Sequence, residues 1–107
     1  MRILGIETSC DETAAAVVED GTKILANVVA SSESLHAKTG GIIPETAARE
    51  QLRTIIPVIK ETLKKADLIP GGLDAIAVTN GPGLFGSLII GVETAKTLSF
   101  VWNKPLV

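Results

Sequence analysis

Short apolar runs alternate with polar turns along the 107-residue chain, and four of these runs have the length of strands. The predicted strands are residues 1–4, 14–18, 23–31 and 73–78. The pair Asp20-Gly21 between the second and third runs is typical of a hairpin turn, so the first three strands should form an antiparallel meander. The fourth comes after a helical crossover and should run parallel to a neighbouring strand.

A long amphipathic helix is predicted from Pro44, since proline is tolerated at the first helical position. Its apolar stripe comprises Ala48, Leu52, Ile55, Ile56, Ile59 and Leu63. Pro57 lies within this helix, and a mid-helix proline removes a backbone hydrogen bond. We therefore expect a kink near residues 53–57, or two abutting helices.

A second helix is predicted from Ser87, a natural N-cap residue, to Trp102. Its shared face comprises Leu88, Val92, Ala95, Leu98, Ser99 and Trp102. An interior glycine costs a helix about 1 kcal/mol relative to alanine, so Gly91 predicts a close approach of this helix to the sheet. Asn103 and Pro105 should end the helix, and residues 106–107 resemble the start of a fifth strand.

Composition narrows the function classes. Net charge is −2 with dispersed charges, which does not resemble a nucleic-acid footprint. The single cysteine excludes an intrachain disulfide and a multi-cysteine zinc site, and the single histidine, His36, lacks the partners of a metal site. No apolar stretch is long enough to span a bilayer, and no signal peptide is visible. A cytoplasmic protein is expected, with 107 residues forming one domain.

The stretch GIETSCDET, residues 5–13, separates the first two strands and contains no turn glycine. Its polar residues are Thr8, Ser9, Cys10, Asp11, Glu12 and Thr13. Such a tip suits binding of a polyanion and its metal ion. The alternative is a polar turn whose hydroxyls cap its own backbone.

Residues 81–86 spell G-x-G-x-x-G between a strand and a helix. A dinucleotide fingerprint belongs to the first strand-to-helix turn of its sheet, with an acidic residue about 20 positions later; neither condition holds. A P-loop would need lysine at Ser87. Two alternatives remain: a glycine-rich loop that presents backbone N–H groups to an anion, or a tight turn that packs the helix on the sheet.

The element order resembles the ribonuclease H-like lobe of the actin, hexokinase and Hsp70 group: an α/β fold with a mixed sheet, strands 1–3 antiparallel and strand 4 parallel, and two packed helices. GIETSCDET and NGPGLFGSL, with GGIIPE, are closer still to the amino-terminal lobe of the tRNA adenosine threonylcarbamoyltransferase family, formerly called O-sialoglycoprotein endopeptidases or glycoproteases. The resemblance runs over the whole of residues 1–107.

This resemblance implies transfer of a threonylcarbamoyl group from its adenylate to N6 of the adenosine next to the anticodon of tRNA. It implies threonylcarbamoyl adenylate or ATP and a divalent metal (iron, zinc or magnesium) in the complete protein. It also implies tRNA, a smaller paralogous subunit and an ATPase subunit as partners.

Within the family interpretation, Asp11 and Glu12 are the candidates to position metal-bound water or to orient the attacking amine. Donors for the nucleotide would come from Thr8, Ser9 and Cys10, while the floor of the cleft would be formed by Asn80, Gly81 and Gly83.

The family continues past this chain through a metal-binding pair of histidines and a second lobe. The resemblance therefore implies a truncated lobe, inactive alone and without its metal ligands. The 46% hydrophobic composition and the broad apolar stripes of both helices predict a homodimer through these helices. Gln51 stands where many relatives have histidine. Two other functions stay open: a non-catalytic scaffold or dimer partner of the same system, and a glycoprotein endopeptidase using Cys10 and His36.

Overall fold

The computed structural model describes residues 1–31 and 44–107, without the side chains of 31 and 44–47. In chain order the elements are β1 Arg2–Glu7, β2 Glu12–Glu19, β3 Lys23–Ser31, α1 Pro44–Lys65, β4 Ala75–Val78 and α2 Phe85–Trp102. A single turn of 3-10 helix, Pro70–Gly72, precedes β4. The predictions about His36 and most of the GGIIPE segment fall outside the described residues.

The four strands form one mixed sheet in the order β3-β2-β1-β4. β1 pairs antiparallel with β2 and parallel with β4, and β2 pairs antiparallel with β3. Asp20 and Gly21 both adopt positive φ in the β2–β3 turn, as the Asp-Gly pair predicted. The predicted fold class is therefore confirmed, including the parallel fourth strand.

The first hairpin is more regular than its composition indicated. β1 continues past the predicted residue 4 as far as Glu7, because its antiparallel ladder with β2 extends to the pair Glu7 and Ala14. β2 likewise begins at Glu12 rather than Ala14. We call residues 8–11, which remain between the strands, the hairpin turn.

The prediction of two abutting helices at Pro57 is wrong. α1 is a single helix of 22 residues with Pro57 inside it. Its predicted apolar stripe is also partly wrong. Leu52 and Ile56 are 65% and 42% exposed, whereas Gln51 and Thr62 are buried. The inward face of α1 is rotated because these two polar residues donate to backbone carbonyls of the hairpin turn and of β2.

The predicted N-cap of the second helix is wrong as well. α2 begins at Phe85, its N-cap residue is Leu84 without a side-chain capping bond, and Ser87 is buried within the first turn. Of the predicted apolar face only Ala95 is fully buried; the innermost positions are Ser87, Gly91 and Ala95, which are spaced four residues apart. The helix ends at Asn103, as predicted, and Asn103 adopts the left-handed conformation.

Both helices pack on the same face of the sheet. α1 lies against β2 and β3, and α2 lies against β4 and β1. The core between these layers is aliphatic, with Leu4, Val17, Ile55 and Ile76 among its most buried members. Beyond β4, Leu106 forms a parallel bridge with Ile76, which is the predicted beginning of a fifth strand. In the described ranges, neither helix is long and apolar enough to cross a membrane.

Candidate functional site

Two loops meet at the carboxyl ends of β1 and β4, because these strands run parallel and end side by side. The hairpin turn follows β1, and the glycine-rich loop, residues 79–84, follows β4. The Leu84 N–H donates a hydrogen bond of 2.7 Å to the Ser9 carbonyl. A Cβ added at Gly83 would lie 2.7 Å from the Ser9 Cβ, and closer still to its carbonyl oxygen. Glycine is therefore required at 83 for the two loops to touch.

The beginning of the hairpin turn is fastened to α2 through Thr8, whose side chain is completely buried. Its hydroxyl donates a 2.6 Å hydrogen bond to the Ser87 carbonyl and accepts one of 3.1 Å from the Gly91 N–H. Ser87 and Gly91 are four residues apart, so one hydroxyl contacts both backbone groups of an i, i+4 pair. The hydroxyl of Thr8 thus has its partners within the protein.

The inner side of the same turn is bonded to α1 through Gln51, which is 1% exposed. The side-chain Nε2 of Gln51 donates to the carbonyls of Thr8, Cys10 and Glu12 at 3.2, 3.0 and 2.9 Å. A single buried carboxamide therefore satisfies backbone acceptors in the hairpin turn and at the first residue of β2.

Glu7 links the ends of the two parallel strands. One carboxylate oxygen accepts from the Ser9 N–H at 2.5 Å, and the other accepts from the Thr79 hydroxyl at 2.6 Å. Burial raises the pKa of the Glu7 carboxyl, but the hydrogen bonds from Ser9 and Thr79 outweigh it and leave the pKa below its ordinary value. Glu7 is therefore an ionised link between the turn and the glycine-rich loop.

The predicted site residues fall into three groups by exposure. Cys10, Glu12, Asn80, Gly81 and Gly83 are exposed. Ser9 and Asp11 are half-buried, and Thr8 lies beneath them. A Cβ added at Gly81 would meet nothing within 4 Å, so there is open space above this part of the loop. The fold thus brings both predicted loops to the carboxyl ends of β1 and β4. One loop carries the carboxylates of Asp11 and Glu12, and the other has exposed backbone at Asn80, Gly81 and Gly83.

Sequence reasoning missed Glu7, Thr79 and Gln51 as members of this region. A signal existed for Glu7, which stands at the end of an apolar strand next to hydroxyl residues. A signal also existed for Gln51, because Gln51 precedes Ile55 by one helical turn and so lies on the same buried face of α1. Within residues 1–31 and 44–107, no three His, Cys, Asp or Glu residues converge in a way that could hold a metal ion.

A concavity of about 400 Å³ opens on the sheet face opposite the helices. It is lined mainly by small residues, Gly5, Ala14, Ala16 and Ala77, with Glu7 and Thr79 at its polar end. None of the predicted site residues lines it. It is therefore a neighbour of the loop site and shares only the Glu7–Thr79 link with it.

Comparison with known proteins identifies the family. A family model described as TsaD, tRNA N6-adenosine threonylcarbamoyltransferase, matches residues 23–107. The chain belongs to this transferase family. It is 56% identical over 107 residues to the tRNA N6-adenosine threonylcarbamoyltransferase of Thermomicrobium roseum and 55% identical to that of Bacillus subtilis. Each alignment includes the whole of this chain but only 29% and 31% of the length of those two proteins. The chain therefore spans about a third of the length of its transferase relatives.

Two solved structures share the fold of this chain. YeaZ from Pseudomonas aeruginosa matches 99% of the chain with a TM-score of 0.76, at 22% identity and over 42% of its own length. A second structure, an uncharacterised protein with similarity to peptidase YeaZ from Pseudomonas aeruginosa, matches with a TM-score of 0.72 at 23% identity. At this identity the likeness concerns the fold alone.

Proposed function

We propose that this chain is the amino-terminal lobe of an enzyme that transfers a threonylcarbamoyl group from its adenylate to N6 of the adenosine next to the anticodon of tRNA. The main observation behind this proposal is that the chain is 56% identical to a named transferase across all 107 residues. That range includes both loops of the candidate site. The meeting of those loops at one sheet edge supports the proposal, because ligands of open α/β sheets bind outside the carboxyl ends of parallel strands.

The roles within the site follow from chemistry. Asp11 and Glu12 follow Ser9 of the loop contact by two and three residues, and a carboxylate there would orient the adenosine amine and accept its proton during attack. Asn80, Gly81 and Gly83 offer exposed backbone to a nucleotide, with Ser9 and Cys10 as neighbouring donors. Most of the rate would come from positioning and charge stabilisation rather than from a covalent intermediate.

The remaining parts of the proposal concern the complete protein. A divalent metal bound to the complete protein would stabilise the negative charge of the phosphate. Its ligands would come from outside the described residues. tRNA, a smaller paralogous subunit, an ATPase subunit and a second lobe are the proposed partners. The 107-residue chain by itself is proposed to be inactive and to form one ribonuclease H-like lobe of a two-lobe protein.

The test uses the full-length protein that carries this chain. It is incubated with threonylcarbamoyl adenylate and an unmodified tRNA transcript, and nucleosides are analysed by mass spectrometry. Threonylcarbamoyladenosine is the expected product, absent when the adenosine next to the anticodon is replaced by guanosine. Formation of no modified nucleoside by a folded, metal-loaded protein with all proposed partner subunits present would contradict the proposal.

The scaffold and endopeptidase alternatives stay predictions. The likeness to YeaZ concerns the fold and favours neither of them. A scaffold would support modification by another subunit while its own Asp11→Ala variant kept full support. An endopeptidase would lose activity on alkylation of Cys10.

A further inference from the structure

One carboxamide group serves three backbone carbonyls of the first hairpin. Gln51 Nε2 lies 3.2 Å from the Thr8 oxygen, 3.0 Å from the Cys10 oxygen and 2.9 Å from the Glu12 oxygen. A carboxamide has only two N–H bonds, so at least one hydrogen is shared between two carbonyls. The Gln51 side chain is 1% exposed, which leaves water little access to replace it.

This arrangement fixes the direction of alternate peptide groups. The peptide bond between Gly81 and Pro82 is cis, but the peptide bonds of the first hairpin are trans. In a trans peptide the N–H points opposite to the carbonyl of the same unit. The carbonyls of Cys10 and Glu12 face α1, so the N–H groups of Asp11 and Thr13 face away from it. Asp11 and Glu12 together therefore lie between two peptide groups whose orientation is set by one side chain.

We propose that Gln51 is a positioning residue of the transferase site, which orients the backbone on either side of the pair Asp11 and Glu12 and so sets the place of the two carboxylates. This inference rests on the proposed function for its catalytic consequence. Its structural part, the holding of the hairpin turn by a donor on α1, stands on the three hydrogen bonds alone.

The role depends on donation of hydrogen bonds and not on shape. Gln51→Met keeps the length and apolar volume of the side chain but has no donor. Gln51→Glu keeps the shape and places an ionised carboxylate against three carbonyl oxygens, which repel it. When protonated, the same glutamate has one O–H to donate. Because burial raises the pKa of a carboxyl group, this variant should regain the hairpin geometry as pH falls.

The structural part is tested on the 107-residue chain through Cys10, its only cysteine, which is exposed in the hairpin turn. The rate of its reaction with a disulfide reagent depends on access and local environment. We expect Gln51→Met to raise that rate about threefold or more. Leu52→Met is the matched control, since Leu52 is the next residue on α1 and is 65% exposed; its rate should equal that of the wild type.

The catalytic part is tested in the full-length protein by steady-state kinetics. Gln51→Met is expected to lower kcat about tenfold or more, with a much smaller change in KM for the adenylate. The activity of Gln51→Glu relative to wild type should rise as pH falls from about 8 to about 6. A residue that acts only through packing would produce no such pH dependence.

Several outcomes would overturn the inference. Wild-type kcat in folded Gln51→Met would do so, as would a Cys10 rate unchanged from that of Leu52→Met. If Gln51→Met fails to fold, Gln51→Glu carries the test within one protein, and equal relative activity at both pH values would contradict the role. If the wild-type full-length protein modifies no tRNA, the proposed function fails separately, and the Cys10 rates still decide the structural part.

Discussion

The Thr8 hydroxyl and the Gly91 backbone N–H are joined by a buried hydrogen bond of 3.1 Å. A Cβ added at Gly91 would lie 2.5 Å from the Thr8 oxygen and 3.4 Å from its methyl carbon. The hairpin turn and α2 can approach to this distance only because residue 91 has no side chain. The interior glycine of α2 thus has a packing reason that outweighs its low helix propensity.

Gly91→Ala should therefore destabilise the chain. Overpacking of a buried contact costs about 1–3 kcal/mol, and Thr8 cannot move aside without losing its bond to the Ser87 carbonyl. The measurement is the free energy of unfolding from urea denaturation followed by circular dichroism.

Two variants control this experiment. Gly86→Ala, in the same helix, places its Cβ 3.8 Å from the Ala48 Cβ, so it should be neutral or stabilising by up to about 1 kcal/mol. In a Thr8→Ala background the cost of Gly91→Ala should shrink. An equal cost in both backgrounds would contradict the proposed contact.

The second prediction concerns pH and Glu7. Its pKa in the folded chain lies below the ordinary value of 4.5, the net result of burial, which raises it, and of bonds from Ser9 and Thr79, which lower it more. A carboxyl with a lowered folded pKa adds stability above the ordinary pKa, and that stability is lost as pH falls through the folded value. The difference in unfolding free energy between wild type and Glu7→Gln should thus be largest near neutral pH and decline below about pH 4.5.

Glu93→Gln is a suitable control for Glu7. Glu93 is exposed on α2 and lies 3.7 Å from the Lys96 ammonium, and such surface pairs contribute about 0–1 kcal/mol. Urea denaturation across a pH series should show little pH-dependent difference for this variant. A Glu7→Gln profile parallel to that of wild type at every pH would remove the electrostatic role of Glu7.

The third prediction concerns Asp11 in the full-length protein. Asp11→Ala should reduce threonylcarbamoyl transfer roughly 100-fold or more, the usual contribution of a group that moves or orients a proton. The melting temperature should change little, since a half-buried turn carboxylate contributes about 1 kcal/mol or less to stability. Near-normal tRNA modification by this variant would contradict the catalytic role.

The fourth prediction concerns the chain alone. It should bind ATP or threonylcarbamoyl adenylate only weakly and transfer nothing, because one exposed sheet edge cannot bury the 70–90% of a ligand that binding pockets usually enclose. Titration calorimetry checks this, and micromolar binding would contradict it. A full-length transferase in the same buffer is the positive control.

The fifth prediction is self-association through the helices, within residues 45–66 and 87–102. Leu52, Ile56 and Ile89 are 65%, 42% and 41% exposed on α1 and α2. A two-fold contact over this surface would bury on the order of 1,000 Å² or more if it is specific. Light scattering at micromolar concentration should report a dimer, and a monomer mass that does not change on concentration would refute it.

Charge variants locate that contact. Leu52→Lys combined with Ile56→Lys should shift the chain to a monomer. Ile24→Lys is the control, because Ile24 is 66% exposed on the edge strand β3 and belongs to neither helix. Dissociation by the β3 variant instead would assign the contact to the sheet edge, where unpaired strands are prone to associate.

Much of the fold could be predicted from local sequence. Periods of two and of 3.6 residues mark strands and helices, and Asp20-Gly21 and Asn103 mark two of the boundaries, because these signals act between near neighbours in the chain. The motifs GIETSCDET and NGPGLFGSL likewise identified the family, which the comparisons confirm. Gly91 correctly predicted a close approach, since an interior glycine has a cost that needs a reason, but the group approached is Thr8 of the hairpin turn rather than a strand of the sheet.

Tertiary structure decided which polar side chains turn inward. The local sequence around Gln51, Thr8 and Glu7 does not mark them as inward-facing. Each has a hydrogen-bond partner at least 39 residues away in the chain. The rotation of α1 about its axis is set by the carbonyls it must satisfy as well as by its apolar stripe, so Leu52 and Ile56 lie outside while Gln51 lies inside. Sequence periodicity specifies that a helix has an inner face, but the buried hydrogen-bonding groups opposite it determine which residues form that face.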